Sequence, residues 1–362
     1  MIYFSNDYQE GCAPQILERL AATNLKQTDG YGLDPYCDNA RQLILNACHL
    51  SRTDTDNRHW RDRETAGIVH FLVGGTQVNS IVINSILRPH QGVICSDTGH
   101  IYVHETGAIE HSGHRVVYLP SADGKLKAAQ IQDTLLAHLY DPNIEHTVQP
   151  AMVYLSFPTE NGLLYSKNEL QAISTVCHQY HIPLYIDGAR LGYGLMSPCS
   201  DLTLPEIAAL ADIFYIGGTK QGALFGEALV ISNPDLRKDF RYLIKQSGGL
   251  LAKGRLLGLQ FSTLFEDLDK PLYMELSRHA ITQAMRINQT LKTTSHKGIK
   301  LAWDSPTNQQ FAIIHDDILH SLKQQFVFST ISKQPQDSTL VRICTSWGTK
   351  EDDVSRLIDK LS

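Results

Sequence analysis

The chain has 362 residues, 42% of them hydrophobic, which is enough to bury a large core and to build one big domain with a smaller one. Its 32 basic and 38 acidic residues give a formal charge of −6 without long like-charge blocks, so there is no electrostatic footprint for nucleic acid or an anionic membrane. No run approaches the ~18 apolar residues of a membrane span, and Met1 to Asp7 lacks the charged start and apolar stretch of a signal peptide, so a cytoplasmic location is expected, with small molecules or other subunits as partners. The cysteines at 12, 37, 48, 95, 177, 199 and 344 form no Cys-x-x-Cys motif and are odd in number, which reads as reduced thiols rather than a disulfide framework.

Apolar runs at 68–73, 92–95, 115–119, 151–157, 182–186 and 213–217 alternate with stretches of helical period such as Asn168 to Tyr180, an α/β pattern. Continuously apolar runs such as Ala151-Met152-Val153-Tyr154-Leu155 predict strands covered by helices on both faces. The first run passes through Val73-Gly74-Gly75-Thr76-Gln77-Val78-Asn79, a strand entering a Gly-rich turn and then a helix, whose unpaired backbone N–H groups suit a phosphate. Neither the Gly-x-Gly-x-x-Gly fingerprint nor the Walker pattern is present, so nucleotide binding has little support. The fifth run ends in Ile186-Asp187-Gly188-Ala189-Arg190 and the sixth in Gly217-Gly218-Thr219-Lys220. In such sheets ligands sit at the carboxyl ends of the strands, where these three segments converge. Leu250 to Lys292 reads as one long helix leading to a C-terminal piece, with strands at 311–314, 326–328 and 340–344 and helices at 315–324 and 349–361. The expected domains are 1–260, carrying the N-terminal segment, and 261–362, with the boundary falling between 255 and 275.

An aspartate or a lysine in either setting alone has an ordinary use, as a helix cap or a solvated turn residue. Together with the Gly-rich turn they suit pyridoxal phosphate, which needs a lysine amine to bond its aldehyde and an anion to keep its pyridine nitrogen protonated. His100, His104, His111 and His114 could suggest a metal, but Gly107 and Gly113 point to a turn rather than one helical face, and no carboxylate-cysteine set completes a site. No metal is expected, and His111 and His114 read as solvated surface residues.

In its motifs the chain resembles the fold-type I pyridoxal-phosphate enzymes, within them the threonine aldolase and β-eliminating lyase group. The likeness runs from Tyr31-Gly32-Leu33-Asp34-Pro35 with Asn39-Ala40, through Gly74 to Asn79, His100 with Glu105, Gly107 and Ala108, and Thr159-Glu160-Asn161-Gly162. It continues through Asp187 to Arg190 and Lys220 with Gly222, and ends at Val341-Arg342. The resemblance implies a large domain with a mostly parallel seven-stranded sheet and a small α+β C-terminal domain. It also implies roles: Lys220 carries the cofactor, Asp187 pairs with the pyridinium, His100 stacks on the ring, and Gly75 and Thr76 hold the phosphate. Arg190 and Arg342 receive the substrate carboxylate, in keeping with guanidinium geometry. Asn6 contacts the same carboxylate, and Tyr31 reaches a site shared between subunits of a homodimer or homotetramer.

Glu160 stands where aldolases of this group usually carry a histidine. It serves either as the base for the β-hydroxyl proton, if burial raises its pKa, or as a selector of another, cationic, substrate. No arginine follows Gly248-Gly249 directly, and Lys253 or Arg255 is a candidate for the missing basic phosphate contact. The expected activity is a lyase reaction on β-hydroxy-α-amino acids, threonine giving glycine and acetaldehyde. The alternatives are β-elimination, transamination, or a cofactor-binding protein without turnover.

Overall fold

The computed structural model describes residues 1–51, 68–294 and 298–362. The chain opens with a short strand, β1 (Ile2–Phe4), followed by helices Pro14–Thr23 and Pro35–Ala47. The second of these starts where the sequence supplies both start signals: Asp34 accepts from the Tyr36 and Cys37 amides at 3.0 Å, and Pro35 occupies the first turn.

Seven strands then form the large sheet: β2 (Val69–Leu72), β3 (Gln91–Ser96), β4 (Arg115–Leu119), β5 (Gln149–Ser156), β6 (Leu184–Asp187), β7 (Ile213–Gly217) and β8 (Glu227–Ile231). Their order is β2-β8-β7-β6-β5-β3-β4, with β8 antiparallel to both neighbours and the other pairings parallel. Every residue of β6, β7 and β8 is buried, as the unbroken apolar runs predict for a sheet covered on both faces. One covering helix, Lys167–Gln179, begins in a reciprocal cap in which Ser166 and Glu169 satisfy each other's amides. The sheet is the mostly parallel seven-stranded one expected. β8 went unread in sequence, because Ala228 to Ile231 is a short apolar run headed by a glutamate.

The segment read as one long helix is two, Arg255–Phe265 and Leu272–Thr293, because Asp267, Asp269 and Pro271 interrupt the helical pattern between them. Arg255 donates to the carbonyls of Thr23, Lys26 and Asn24, closing the C-terminal end of helix Pro14–Thr23, so its partners are structural. The C-terminal piece holds β9 (Ile299–Trp303), β10 (Gln309–His315), β11 (Phe326–Gln334) and β12 (Ser338–Cys344), with helices Asp316–Leu322 and Glu351–Leu361 packed beside them. β1 departs from its expected grouping with the large domain: it lies parallel to β11 at the edge of the order β1-β11-β12-β10-β9. The driving contact is apolar, since Phe4 is fully buried in the small core with its ring 6.2 Å from that of Phe326. No described helix is long and apolar enough to cross a membrane. The seven cysteines are unpaired, and only Cys199 is exposed.

Gly188, just past β6, lies so close to β7 that a Cβ there would meet the Tyr215 carbonyl oxygen at 1.9 Å. Backbone cannot move aside as a flexible side chain does, so Gly188→Ala is expected to cost roughly 1–3 kcal/mol or more by separating the two strands. Denaturant unfolding checks this, and an unchanged midpoint would refute the close-approach account.

Candidate active site

The three converging segments enclose a cavity of about 310 Å³ lined by Gly74, Gly75, Thr76, His100, Ser156, Glu160, Asp187, Arg190, Tyr215, Lys220 and Glu227, among others. Asp187 ends β6 on the floor of this cavity and is only 4% exposed. It accepts hydrogen bonds from Tyr154 Oη at 2.6 Å, Asn79 Nδ2 at 3.0 Å, the Ala189 amide at 3.0 Å and Tyr215 Oη. Burial pushes its pKa up, but the neighbouring His100 and these donors outweigh that and hold the carboxyl below its ordinary range. Asp187 is therefore a fixed anion at neutral pH.

A second layer extends from it. Asn79 also donates to Glu105 Oε1 at 2.7 Å, and the same oxygen lies 2.7 Å from His100 Nδ1. Burial lowers the pKa of His100, yet the Glu105 hydrogen bond and the charges of Asp187 and Glu105 leave it raised overall. His104 tilts against it at 5.4 Å between ring centres, and burial with the His100 charge lowers its pKa. His111 is exposed as expected, but His114 is not: it is 5% exposed, with Nδ1 3.4 Å from the Gln91 carbonyl oxygen. The ring fits indoors because its polar edge has a backbone acceptor there, a partner that adjacent glycines did not reveal.

Gly75 and Thr76 begin helix Gly75–Ile86, whose first amides have no intrahelical acceptors, and both residues line the cavity. Gly75 has no room for a side chain, because a Cβ would lie 2.8 Å from Tyr215 Oη. Lys220 follows β7 in a turn, half-buried and without an ion pair or hydrogen bond from its amine among the described residues. Burial and the charge of Arg190 lower its pKa, with Asp7, Asp187 and Glu227 opposing.

Glu160 enters from the loop after β5. Its Oε1 accepts from Ser156 Oγ at 2.5 Å and from the His100 amide at 2.9 Å. Burial raises its pKa against the Ser156 hydrogen bond and the His100 charge, with Asp187 adding to the rise. Arg190 is gripped by Asp7, which accepts from Nε at 2.7 Å and Nη2 at 3.0 Å and also from Asn308 Nδ2 at 2.9 Å. Arg342 donates to Ser5 O, Ser329 Oγ and Gln309 Oε1, and its buried Nε has no protein acceptor.

Three expected substrate residues, Asn6, Tyr31 and Arg342, are not among the residues that line the cavity. The Asn6 side chain accepts from the Tyr8 amide at 3.1 Å, and it is the next residue, Asp7, that reaches the site. Tyr31 is 45% exposed under Lys245, whose Nζ is 4.5 Å from its ring centre, and it lines a separate crevice with Arg41 and Arg241. Asp7, Asn79, Tyr154, Tyr215 and Glu227 were not assigned roles from sequence, although Asn79 sits within the quoted phosphate motif.

The donor set fits pyridoxal phosphate: an unpaired lysine amine, a buried ionised carboxylate and an open helix start face one space. Asp187→Ala would leave Tyr154, Tyr215 and Asn79 without their buried acceptor. The expected cost is roughly 1–3 kcal/mol in the cofactor-free protein. An undiminished denaturation midpoint would show that the network does not depend on this carboxylate.

Comparison with known proteins places this geometry in a family. The family model described as "Beta-eliminating lyase" matches residues 28–308. A solved threonine aldolase from Leishmania major superposes with a TM-score of 0.91 at 41% identity, covering 100% of this chain and 98% of its own. A low specificity L-threonine aldolase from Pseudomonas sp. is 28% identical over 362 residues, 98% of this chain and 95% of that one. The aspartate aminotransferase of Thermus thermophilus shares the fold, with a TM-score of 0.69 at 13% identity over 99% of this chain and 90% of its own. Most of the chain is thus covered by one family description, and its sheet, site and relatives agree: it belongs to the β-eliminating lyase family and has the fold of the fold-type I pyridoxal-phosphate enzymes.

Proposed function

We propose that the chain is a pyridoxal-phosphate-dependent lyase that splits β-hydroxy-α-amino acids, threonine giving glycine and acetaldehyde, with low specificity for the side chain. The observation that carries this is the convergence of the Lys220 amine, the Asp187 anion and the Gly74–Thr76 helix start in one cavity that also presents Glu160. The names of the Leishmania and Pseudomonas relatives support the substrate class.

When bound, the cofactor supplies an electron sink for the pair left on Cα as the Cα–Cβ bond breaks. Lys220 would hold it through its aldehyde, with an amine kept more nucleophilic by its lowered pKa. Asp187 holds the proton on the pyridine nitrogen, and its hydrogen bonds keep it anionic while it does so. His100, fixed by Glu105, would be the imidazole beside the cofactor ring, and the Gly75 and Thr76 amides would hold its phosphate. Arg190, which lines the cavity, orients the substrate carboxylate, with Arg342 as its expected second arginine. Glu160 accepts the β-hydroxyl proton: burial keeps its basicity above that of an ordinary carboxylate, and Ser156 with the His100 amide fixes one oxygen so that the other can face substrate.

The reading includes a cytoplasmic homodimer or homotetramer. The exposure of Tyr31, away from its own chain's cavity, supports a role for that ring across a subunit boundary.

The decisive test adds L-threonine and L-allo-threonine to the protein with pyridoxal phosphate. Acetaldehyde with glycine is expected, together with loss of both turnover and the lysine-bound cofactor absorbance in Lys220→Ala. Pyruvate with ammonia, or amino transfer to a keto acid, would replace the aldolase reading by elimination or transamination. A cofactor band that responds to no amino acid would leave binding without turnover.

Glu160→Gln is expected to lower kcat on the order of 10²-fold with little change in KM. A base works in its ionised form, so wild-type kcat should rise as pH climbs through the elevated Glu160 pKa. That acid limb should vanish in the variant, and its persistence there would assign the proton to another group.

A further inference from the structure

Glu227 is a buried carboxyl in the cavity wall to which the steps above give no task. It opens β8, faces Gly217 across β7 and Leu72 across β2, and is 4% exposed. Leu72 is the last residue of β2, so Glu227 stands beside the point where the chain turns into the Gly74–Thr76 helix start. Its two oxygens are both committed to the turn before Lys220: Oε2 accepts from the Gly218 amide at 3.0 Å, and Oε1 accepts from Thr219 Oγ1 at 2.9 Å. Thr219 Oγ1 in turn accepts from the Gly226 amide at 3.0 Å, an approach made possible by the positive φ of Gly226, +108°.

The proton count around Thr219 is therefore closed. A hydroxyl has one proton and two lone pairs. With Glu227 ionised, the Thr219 proton is spent on Oε1, and none is left for an anion in the cavity, although Thr219 lines that cavity beside Gly75 and Thr76. With Glu227 neutral, the carboxylic O–H becomes the donor, Thr219 accepts from it and from Gly226, and its own proton is free to turn to the cavity. The Gly218 bond to Oε2 is satisfied either way.

We propose that Glu227 is a positioning residue that works as a neutral acid, donating to Thr219 so that this hydroxyl donates to the anion held at the Gly74–Thr76 helix start, and that anion binding is therefore coupled to proton uptake by Glu227. This rests on the reading that the helix start receives the cofactor phosphate. The electrostatics agree: burial pushes the Glu227 carboxyl up to about 8, with the Thr219 hydrogen bond, the Lys220 charge and the Gly218 amide pulling down and Asp187 pushing further up. The other titratable groups whose fields reach it are Tyr185, Tyr215 and Tyr273, all neutral in this pH range because burial raises them. A doubly negative ester beside Glu227 acts in the same direction as Asp187.

The test is calorimetric titration of the cofactor-free full chain with pyridoxine 5′-phosphate, which lacks the aldehyde and cannot bond Lys220, in buffers of different ionisation enthalpy. The wild type is expected to take up close to one more proton per ligand than Glu227→Gln at about pH 9, and no more at about pH 6.5, where the acid is already protonated. Above about pH 8 its affinity should fall towards ten-fold per pH unit relative to Glu227→Gln, whose amide donates to Thr219 at every pH. Titration of the ligand enters both proteins alike, and repeating the pair in a Lys220→Met background removes the amine whose pKa Glu227 influences, so the difference that persists there reads Glu227. Thr219→Val should lose the tighter binding that the wild type shows at about pH 6.5 relative to about pH 9. Equal proton uptake by wild type and Glu227→Gln at about pH 9 would overturn the proposal while leaving the cofactor reading intact, whereas a wild type that binds no ligand would overturn both.

Discussion

A carboxylate buried at the end of a central strand is costly unless it is surrounded by donors, and Asp187 sets that requirement for everything around it. Tyr154 on β5, Tyr215 on β7, Asn79 on the helix after β2 and the amide of Ala189 each give it a hydrogen bond. Those donors come from four separate stretches of chain, so the charge acts as the reference point from which the site's geometry is measured. Asn79 shares one amide group between Asp187 and Glu105, and Glu105 orients His100. The position of the imidazole is thus transmitted from the same anion. Because the donors are part of the sheet and its covering helix, the site is organised before any ligand arrives, which is what electrostatic catalysis requires.

The electrostatics also distribute labour among four acidic groups in a small volume. Asp7 and Asp187 remain charged because arginine or multiple donors stand against them, whereas Glu160 and Glu227 are raised by burial. Neighbouring carboxylates with pKa values pushed apart is the pattern by which one pocket holds fixed anions and proton carriers together.

Much of this site was legible in the sequence because its chemistry sits at the ends of strands. Asp187, Lys220 and the Gly74–Thr76 turn each follow an apolar run, so local pattern places them on one edge of an α/β sheet. Glu160 was legible through its motif. What stayed hidden depends on pairing between distant segments: Asp7 meets Arg190 across 183 positions of chain, and no local period signals that. Arg255 looked like a phosphate ligand from its neighbourhood of glycines, whereas the carbonyls that claim it belong to a helix near the N-terminus. His114 was misjudged for a related reason, since the backbone oxygen that lets it be buried lies 23 residues earlier. Glu227 was missed because a strand beginning with a glutamate looks too polar to be central, and only the turn it braces explains its presence there.

The pairing of β1 with β11 has a consequence for how the molecule comes into being. Ile2 finds its register partner at Phe326, and the same short N-terminal stretch carries the Asp7 that binds Arg190. During synthesis Ile2–Phe4 has no edge to join until Phe326–Phe328, more than 300 residues later, has followed it. The large sheet is complete by Ile231, so it has time to form while Met1 to Tyr8 waits unpaired. Loop closure over such a separation is slow, so β1 joins the small sheet late. A chain that stops short of β11 therefore leaves β1 without its partner strand.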